Sequence, residues 1–354
     1  MTVMIRSSAL LGVLGLVLWS CALAEGGHPA ELSKFFHEYI GLNEDQIGVI
    51  QNGRAVAKVF EPRNPDEVFV IGSVYVNSSA DHYLQFASDI DALRKLPNYL
   101  TLRKFSDPPQ LSDLEGFTLE PDDIKDLKAC QTGRCEVQLP SEAMDAFKRL
   151  VDWSAPDVAG QVNRLAQTMA LEALVRYKQG RNVALGTYRD KQHPTAISEA
   201  FQSLVSRSKA LPVYLPEHDR YLLDYPNANS GSIESQFFWE KVNFGRKPTL
   251  RIIQAIVFRG ANPADPAYAI TVKQLYASRY FETALDLTVC VRDEMQPERH
   301  GFYLVTLKGS QQAGLTGLKG GIVRKVAVDK TRSSLQRALQ AIKRNLESQT
   351  GQSP

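Results

Sequence analysis

The sequence predicts an α+β protein, and three features carry that prediction. An early strand at residues 67–76 leads directly into a helix at 80–93. A helical pattern then occupies about 141–225. Alternating strands fill the last third of the chain and end in a long amphipathic helix. We therefore expect a sheet, a helical region between its strands, and a C-terminal helix packed on the sheet.

The first 140 residues are predicted to alternate helices and strands. Residues 30–41 have the pattern of a short amphipathic helix. Residues 67–76 are rich in β-branched and aromatic side chains, which favours a strand. Residues 80–93 follow a polar helix start and place apolar side chains at helical spacing. Two more strands are expected at 98–105 and 135–140.

The middle of the chain is predicted to be helical. The longest helix is expected at 158–178, and another at 195–206. Three prolines then mark a stretch of turns, and the polar segment 227–232 favours a boundary between two regions of the chain.

The last third is predicted to form antiparallel strands. In residues 280–292, Phe281, Leu285 and Leu287 share one face of the strand, and polar side chains occupy the other. The expected strands lie at about 249–258, 268–277, 280–292, 301–308 and 321–328.

A final amphipathic helix is expected after the strands. Ser333 and Gln336 have the spacing of a capping box. Leu339 and Ile342 belong to the apolar stripe that follows, so we expect them to face the sheet.

The N-terminal residues have the order of a secretory signal. Arg6 precedes an apolar run at 9–19, and Ala22-Leu23-Ala24 offers small residues for cleavage. We therefore expect cleavage after Ala24 and export to the periplasm or the exterior. The alternative is a lipoprotein attached through Cys21. No later segment is long and apolar enough to span a bilayer, so we expect none in the mature chain.

Charge and cysteine usage narrow the class of protein further. The formal net charge is +2, and the sequence has no block of basic residues, so we expect no nucleic-acid partner. Cys130 and Cys135 flank a Thr-Gly turn, which predicts a disulfide in an oxidising compartment, with a redox-active pair as the alternative. Cys290 lies in an alternating strand and is expected to be a buried thiol.

No motif in the sequence names a reaction. The nucleophile-elbow, zinc-protease and phosphate-loop patterns are all missing, so neither a cofactor nor a metal is predicted. The densest polar group contains Asp190 and His193. These two residues form either a general-base site or a solvated turn before the helix at 195–206.

Aromatic residues suggest where a ligand would lie. Trp239 and Phe244 belong to the densest aromatic cluster, which fits either the mouth of a pocket or an anchor for the helical region. Tyr276 flanks a predicted turn and is a further candidate for a pocket rim.

The order of elements resembles the START-like, helix-grip superfamily. The residues that carry the resemblance are VFVIGSVYVNSSADHYLQFASDIDAL near the start and GLTGLKGGIVRKVAVDKTRSSLQRALQAIKRNLE at the end. The resemblance covers about 60–140 and 235–348 and leaves 141–234 as a helical insertion. It implies a curved antiparallel sheet that grips the C-terminal helix. The expected regions are a signal peptide at 1–24, a helical segment at 25–59, the two parts of the START-like domain at 60–140 and 235–348, the insertion at 141–234 and a disordered tail at 349–354.

The same resemblance implies a hydrophobic ligand between sheet and helix. A lipid, a sterol or a polyketide-like molecule is the expected partner, and carriage of that molecule is the expected role. The expected contacts are Trp239, Phe244, Tyr276, Phe281, Leu285, Leu287, Leu339 and Ile342. Two alternatives stay open: a cyclase- or hydrolase-like enzyme that uses Asp190 and His193, and an interaction module whose insertion at 141–234 docks a partner protein.

Overall fold

A computed structural model shows the architecture of most of the chain. The structure describes residues 29–95, 98–224, 232–244, 247–260, 267–292, 301–312, 314–315 and 317–350. The predicted signal peptide and Cys21 lie outside the described residues, and so does most of the predicted boundary at 227–232.

The described part of the chain contains ten strands, eight of which form one antiparallel sheet. The strands are β1 (Val56–Val59), β2 (Glu67–Val76), β3 (Tyr99–Lys104), β4 (Thr187–Tyr188), β5 (Thr195–Ala196), β6 (Ile233–Val242), β7 (Thr249–Arg259), β8 (Tyr268–Ala277), β9 (Phe281–Arg292) and β10 (Phe302–Gln312). The order in the large sheet is β1-β2-β10-β9-β8-β7-β6-β3, and β4 pairs with β5 separately.

The helices of the described residues fall into three groups: those before β3, those between β3 and β6, and one at the C-terminus. They are α1 (Pro29–Lys34), α2 (Glu44–Gln51), α3 (Ala80–Ser88), α4 (Ile90–Arg94), α5 (Pro121–Lys128), α6 (Ser141–Leu150), α7 (Val158–Gly180), α8 (Ile197–Val205), α9 (Leu211–Tyr214), α10 (Pro216–Asp224) and α11 (Gly317–Thr350). The predicted α+β class is confirmed: a large antiparallel sheet carries a long C-terminal helix and an inserted group of helices.

The sheet has helices on both faces. Alternate side chains of a strand point to opposite faces, and cross-strand partners share a face. Val70 and Leu304 pack in one core with Leu335 and Leu339 of α11. We call this side the helix face. Ile71 and Leu287 pack in a second core with Phe201 of α8, and we call that side the insertion face.

Two glycines show how closely the helices approach the sheet. A Cβ atom added at Gly72 of β2 would lie 2.8 Å from Leu339 of α11. A Cβ atom added at Gly309 of β10 would lie 2.9 Å from Leu204 of α8. Both contacts are too short for a larger residue, so the two layers are seated directly on the strands.

The C-terminal segment differs from its prediction. The expected strand at 321–328 is helical and belongs to α11, while β10 continues to Gln312. Ile322 and Val326 are largely exposed, so this run has no buried face of the kind that stabilises a strand. The β-branched residues of this run favour a strand locally, but the run is part of the helix that begins at Gly317.

Other predicted boundaries need smaller corrections. Residues 135–140 are not a strand, because Cys135 is tied to Cys130 and Gln138 N donates to Ser278 O across the end of the sheet. The predicted helix at 80–93 breaks at Asp89, whose side chain accepts from Ala92 N and caps α4. α2 lies in the helical segment expected at 25–59, whereas β1 and β6 were not predicted as strands.

Candidate ligand-binding site

A strip of half-buried side chains crosses the helix face of β7, β8 and β9. The opposite side chains of the same strands are fully buried under the insertion, with Leu285, Lys273 and Gln254 at 0% exposure. The strip remains half-buried although it faces the side that carries α11. Its members are Ala255, Val257, Ile270, Val272, Ala284 and Thr288. We call this set the helix-face strip.

Two separate apolar clusters border the strip. On the β2 side, Leu304 and Leu339 belong to the core under α11, and Ile270 packs against it. On the β3 side, Phe238 and Ile253 form a small core beneath α4, and Val272 packs against that one. The strip is therefore the partly covered zone between two covered ends of one sheet face.

Polar pairs interrupt the apolar surface beside the strip. Asp286 of β9 and Lys308 of β10 are cross-strand partners and form an ion pair with both side chains partly exposed. One step along the strands, the Thr288 and Thr306 hydroxyls are 3.0 Å apart. This part of the helix face thus offers a charge of each sign and two hydroxyls to a molecule on it.

A buried ion pair lies toward the β3 edge of the same face. The Arg251 guanidinium of β7 is 3.0 Å from the Glu240 carboxylate of β6, and the two residues are cross-strand partners. The side chain of Glu240 is 2% exposed and that of Arg251 is 14% exposed. Pairing in this register satisfies two charges that would each be costly to bury alone.

Aromatic rings surround the guanidinium. The Arg251 guanidinium carbon is 5.8 Å from the ring centre of Phe244 and 6.0 Å from that of Phe281. The two rings meet edge to face, with centres 4.9 Å apart. This arrangement combines an apolar wall with one cation and is suited to the polar end of a hydrophobic molecule.

The electrostatics of this end are coupled. Burial raises the pKa of the Glu240 carboxyl, while the neighbouring Arg251 opposes the rise. Asp286 raises the pKa of Glu240 further, and Lys308 lowers it. Burial also raises the pKa of the Tyr99 hydroxyl, as does the charge of Glu240. Tyr99 is therefore a neutral hydroxyl beside the ion pair at neutral pH.

The structure separates the predicted ligand contacts into groups. Phe244 and Phe281 lie together beside Arg251. Leu339 is buried under α11, and Ile342 packs against the same core. The expectation that Leu285 and Leu287 face the C-terminal helix is wrong: both lie in the core on the insertion face. From Thr283 onward the apolar side of β9 faces the insertion and the polar side faces α11. Phe281 was expected on the same face as the two leucines, but a bulge precedes them and Phe281 packs on Phe244 instead.

The two remaining predicted contacts also lie on the insertion side. Trp239 is fully buried, donates from Nε1 to Asp113 O at 2.7 Å and meets the Phe117 ring edge to face. Tyr276 meets the ring of Tyr188, and burial raises the pKa of its hydroxyl well above the usual value. Neither borders the helix-face strip, and their role in ligand contact stays a prediction.

The catalytic alternative is not assembled as expected. Asp190 is 3% exposed, whereas His193 is exposed. Burial raises the pKa of the Asp190 carboxyl to about 6, and its ion-pair partner is Lys191 at 3.8 Å. Among the described contacts, none joins Asp190 to His193. The expectation of a solvated turn holds for His193 and is wrong for Asp190.

The disulfide loop explains why Asp190 is buried. The sulfurs of Cys130 and Cys135 lie at bonding distance. The backbone of the loop pairs with the segment before α8: Gly133 N donates to Arg189 O, and Cys135 N donates to Asp190 O. Cys290 is a buried free thiol, as predicted.

A buried polar network on the insertion face was not predicted. Lys273 of β8 donates to Asn182 Oδ1, and its Nζ atom lies 4.2 Å from the ring centre of Phe201. Tyr177 of α7 donates to Gln254 Oε1 at 2.8 Å. His218 of α10 is 2.6 Å from the Thr271 hydroxyl. Burial lowers the pKa of Lys273 well below its usual value and that of His218 to about 4.

One sequence signal would have located both polar groups. Arg251, Lys273 and Lys308 each interrupt an otherwise apolar strand. A charged residue inside such a run is buried or partly buried, so it needs a partner on a neighbouring strand or helix. Single-sequence reading cannot supply the register that pairs Arg251 with Glu240.

A second, open groove of about 590 Å³ lies at the β1 edge of the sheet. It is lined by Arg54 and Ala55 before β1 and by Gln336, Arg337 and Gln340 of α11. Gln340 Oε1 accepts from Ala55 N, and Gln336 Nε2 donates to Ala55 O, so the two glutamines occupy the backbone groups at this edge. Val49, Val56 and Ala57 complete its largely apolar lining, and none of the predicted ligand contacts lines it.

Among the described residues, no helix combines the length and hydropathy that a membrane crossing requires. No group of three or more His, Cys, Asp or Glu side chains among them is arranged to hold a metal ion.

Comparisons with known proteins place the chain in no family. No family model matches it. No curated protein matches it either. A structural match was found to the crystal structure of the di-domain ARO/CYC StfQ from the steffimycin biosynthetic pathway, with 14% sequence identity and a TM-score of 0.23. The match covers 57% of this chain and 63% of that chain, which is less than two thirds of the other protein. A TM-score this low supports no assignment of fold family or function.

Proposed function

We propose that the protein is an exported binding protein for a hydrophobic molecule that carries a polar end. The ligand lies on the helix-face strip, between α11 and α4. Its apolar body covers Ile270 and Val272, and its polar end meets Arg251 and Lys308. Lipids, sterols and polyketide-like molecules all have this division into an apolar body and a polar end, and carriage is the role that such binding serves.

One observation carries this proposal: the two faces of the same strands are covered to different extents. The insertion face of β7–β9 is closed by packed helices, whereas the apolar residues of the helix-face strip remain half-buried beside a buried ion pair. Ligand pockets combine apolar walls with a few placed polar groups. Covering the strip would contribute about 25 cal/mol for each Å² of apolar surface removed from water.

Export is part of the same proposal. It is supported by the signal-like N-terminal sequence and by the two cysteines at disulfide distance, because disulfides persist in oxidising compartments. Hydrophobic molecules outside the cytoplasm are poorly soluble in water, so their movement between membranes requires a carrier.

The test is displacement of a fluorescent fatty-acid analogue from the purified mature protein. Ala255→Phe fills the helix-face strip and should weaken probe binding at least about tenfold, equivalent to about 1.4 kcal/mol. Val183→Phe adds the same ring at an exposed position of the insertion and should leave binding unchanged.

The identity of the polar end is tested in the same assay. The competitors are an alkane, an alcohol and a carboxylic acid with the same number of carbon atoms. They should displace the probe with different affinities if Arg251 and Lys308 contact the polar end. Equal probe binding by Ala255→Phe and wild type would refute the proposed position of the ligand.

A further inference from the structure

The C-terminal helix concentrates the positive charge of the chain. Residues 317–350 contain eight Lys and Arg and two Asp and Glu, a net charge of +6. The chain as a whole carries +2, so the other residues together carry −4. The near-neutral net charge of the whole chain therefore does not reflect this basic helix. Its basic residues are spread along the helix and do not form one block in the sequence.

One side of α11 is fixed to the sheet. Leu335, Leu339 and Leu346 are buried in the core of the helix face. Glu347 Oε1 accepts from Asn77 N, which anchors the end of the helix to the residue after β2. These contacts determine which side of α11 faces outward.

The outward side carries one continuous stripe. Ile322, Val326, Lys330, Arg337 and Arg344 are exposed and follow at intervals of four, four, seven and seven residues, which places them on one line along an α-helix. The helix has 34 residues and is about 51 Å long at 1.5 Å per residue. Its outward stripe is apolar near the N-terminus and basic along the remainder.

The apolar part of the stripe is unusually exposed for large aliphatic residues. Ile322 is 71% exposed, Val326 is 60% exposed, and the adjacent Val323 is 39% exposed. No other helix of the described residues exposes three large aliphatic side chains within five positions.

Several cations of α11 lack a fixed counter-charge. Arg332 pairs with Asp329, and Lys343 pairs with Glu347. Within the described part of the chain, no carboxylate lies at ion-pair distance from Lys325, Arg337 or Arg344. Long cationic side chains beside exposed aliphatic residues match a surface that is anionic and apolar beneath its charges.

We propose that the outward stripe of α11 docks the protein on an anionic lipid surface. Ile322 and Val326 enter the boundary between headgroups and acyl chains together with the adjacent Val323, and Arg337 and Arg344 lie against lipid phosphates together with Lys325, which is exposed beside the stripe. A lipid surface fits better than a protein because, within the described residues, no carboxylate pairs with these cations, and a diffuse anionic field requires no fixed partner for each of them.

Docking in this orientation has a geometric consequence. Lys330 Nζ donates to Phe244 O at 3.4 Å, so the stripe passes beside the aromatic end of the candidate ligand site. The docked helix therefore brings that end close to the lipid. Loss of docking can be distinguished from loss of ligand binding, because none of the stripe residues belongs to the helix-face strip.

The test is sedimentation of the mature protein with lipid vesicles. Vesicles of phosphatidylcholine with about 30 mol% phosphatidylglycerol should bind the protein at low salt and release it as the salt concentration approaches 1 M, where the screening length is about 3 Å. Vesicles of phosphatidylcholine alone should bind it far more weakly.

Two variants separate charge from apolar insertion. Lys325→Gln, Arg337→Gln and Arg344→Gln together should weaken binding roughly 100-fold, about fivefold for each basic residue near the surface. Ile322→Gln with Val326→Gln should also release the protein, with the salt dependence retained. Glutamine preserves helix propensity, and circular dichroism verifies that both variants are folded.

Matched controls lie on α5 and on the helices of the insertion. Lys128→Gln, Arg149→Gln and Lys209→Gln remove the same charge from other exposed positions, and Leu150→Gln with Val213→Gln removes two other exposed aliphatic side chains. Both controls should bind vesicles like wild type.

Equal losses in the α11 and control variants would overturn the proposal, as would equal binding to neutral and anionic vesicles. Binding of an acidic protein without vesicle binding would also overturn it. The α11 variants should still bind the fatty-acid analogue, so that loss of vesicle binding is distinguished from loss of the ligand site.

Discussion

The two faces of strands β7–β9 have opposite fates although they are built from alternate residues of the same segments. On the insertion face, even Lys273 and His218 are excluded from solvent. On the helix face, aliphatic residues such as Ile270 and Val272 stay half-buried. Burial therefore follows from what packs on each face.

The polar residues of the two faces differ in the same way. The insertion-face network joins helices to strands, from Tyr177 to Gln254 and from His218 to Thr271. The helix-face pairs join strand to strand, from Glu240 to Arg251 and from Asp286 to Lys308. The first arrangement attaches the inserted helices to the sheet. The second joins only neighbouring strands, so among the described contacts no helix is bonded to these pairs beside the strip.

The largest expected contrast concerns stability. Leu287→Ala on the insertion face should lower the free energy of unfolding by about 2–5 kcal/mol, because it leaves a cavity in a closed core. Val272→Ala on the helix-face strip should lower it by less than about 1.5 kcal/mol, because that position is already partly solvated. Urea denaturation of both variants measures the difference. Equal losses would mean that the helix face is packed as closely as the insertion face.

The second contrast is the pH effect of a histidine on the insertion face. The pKa of His218 falls from 6.5 to about 4 on folding, so its neutral form stabilises the fold above pH 6.5 and that contribution is lost as the pH falls toward 4. The loss should reach about 3 kcal/mol at 1.36 kcal/mol per pKa unit. Urea denaturation from pH 7 to pH 4 should show a decline in wild type that is smaller in His218→Gln by this amount.

Other groups serve as the internal control for that experiment. Lys273 also has a lowered pKa and is present in both proteins, so the difference between wild type and His218→Gln isolates the histidine. Identical pH profiles for the two proteins would contradict a neutral, buried His218.

The smallest predicted effect has the opposite sign. The pKa of Asp190 is raised from 3.8 to about 6 on folding, so its protonated form contributes stability below pH 4 that is lost as the pH rises through 6. Asp190→Asn removes this loss and should raise the free energy of unfolding at pH 7 by about 2 kcal/mol relative to wild type. Denaturation at pH 4 and pH 7 measures the change. A destabilised variant at pH 7 would show that the carboxylate itself is required.

The sequence predicted the fold well where a strong periodicity had one structural solution. The pattern at 67–76 coincides with β2, and that at 268–277 coincides with β8. The run at 321–328 was misassigned because β-branched residues suit a strand locally, while the helix that contains them is held by Leu335 and Leu339 further along. Local propensity cannot include a distant anchor.

The candidate site was predicted only in part. Phe244 and Phe281 were named as ligand contacts and lie together beside Arg251, whereas Leu285 and Leu287 were placed on the wrong face. Periodicity shows that one face of β9 is apolar and does not show which layer covers it. The pairing of Arg251 with Glu240 depends on strand register, which a single sequence does not contain.

Native mass spectrometry with organic extraction tests the central claim most directly. The mature protein isolated from its own cells should carry a hydrophobic molecule, and Ala255→Phe prepared in the same way should have lost it while Val183→Phe retains it. A wild-type protein that is free of ligand, and that stays free after incubation with a membrane extract, would contradict a ligand site on the helix face.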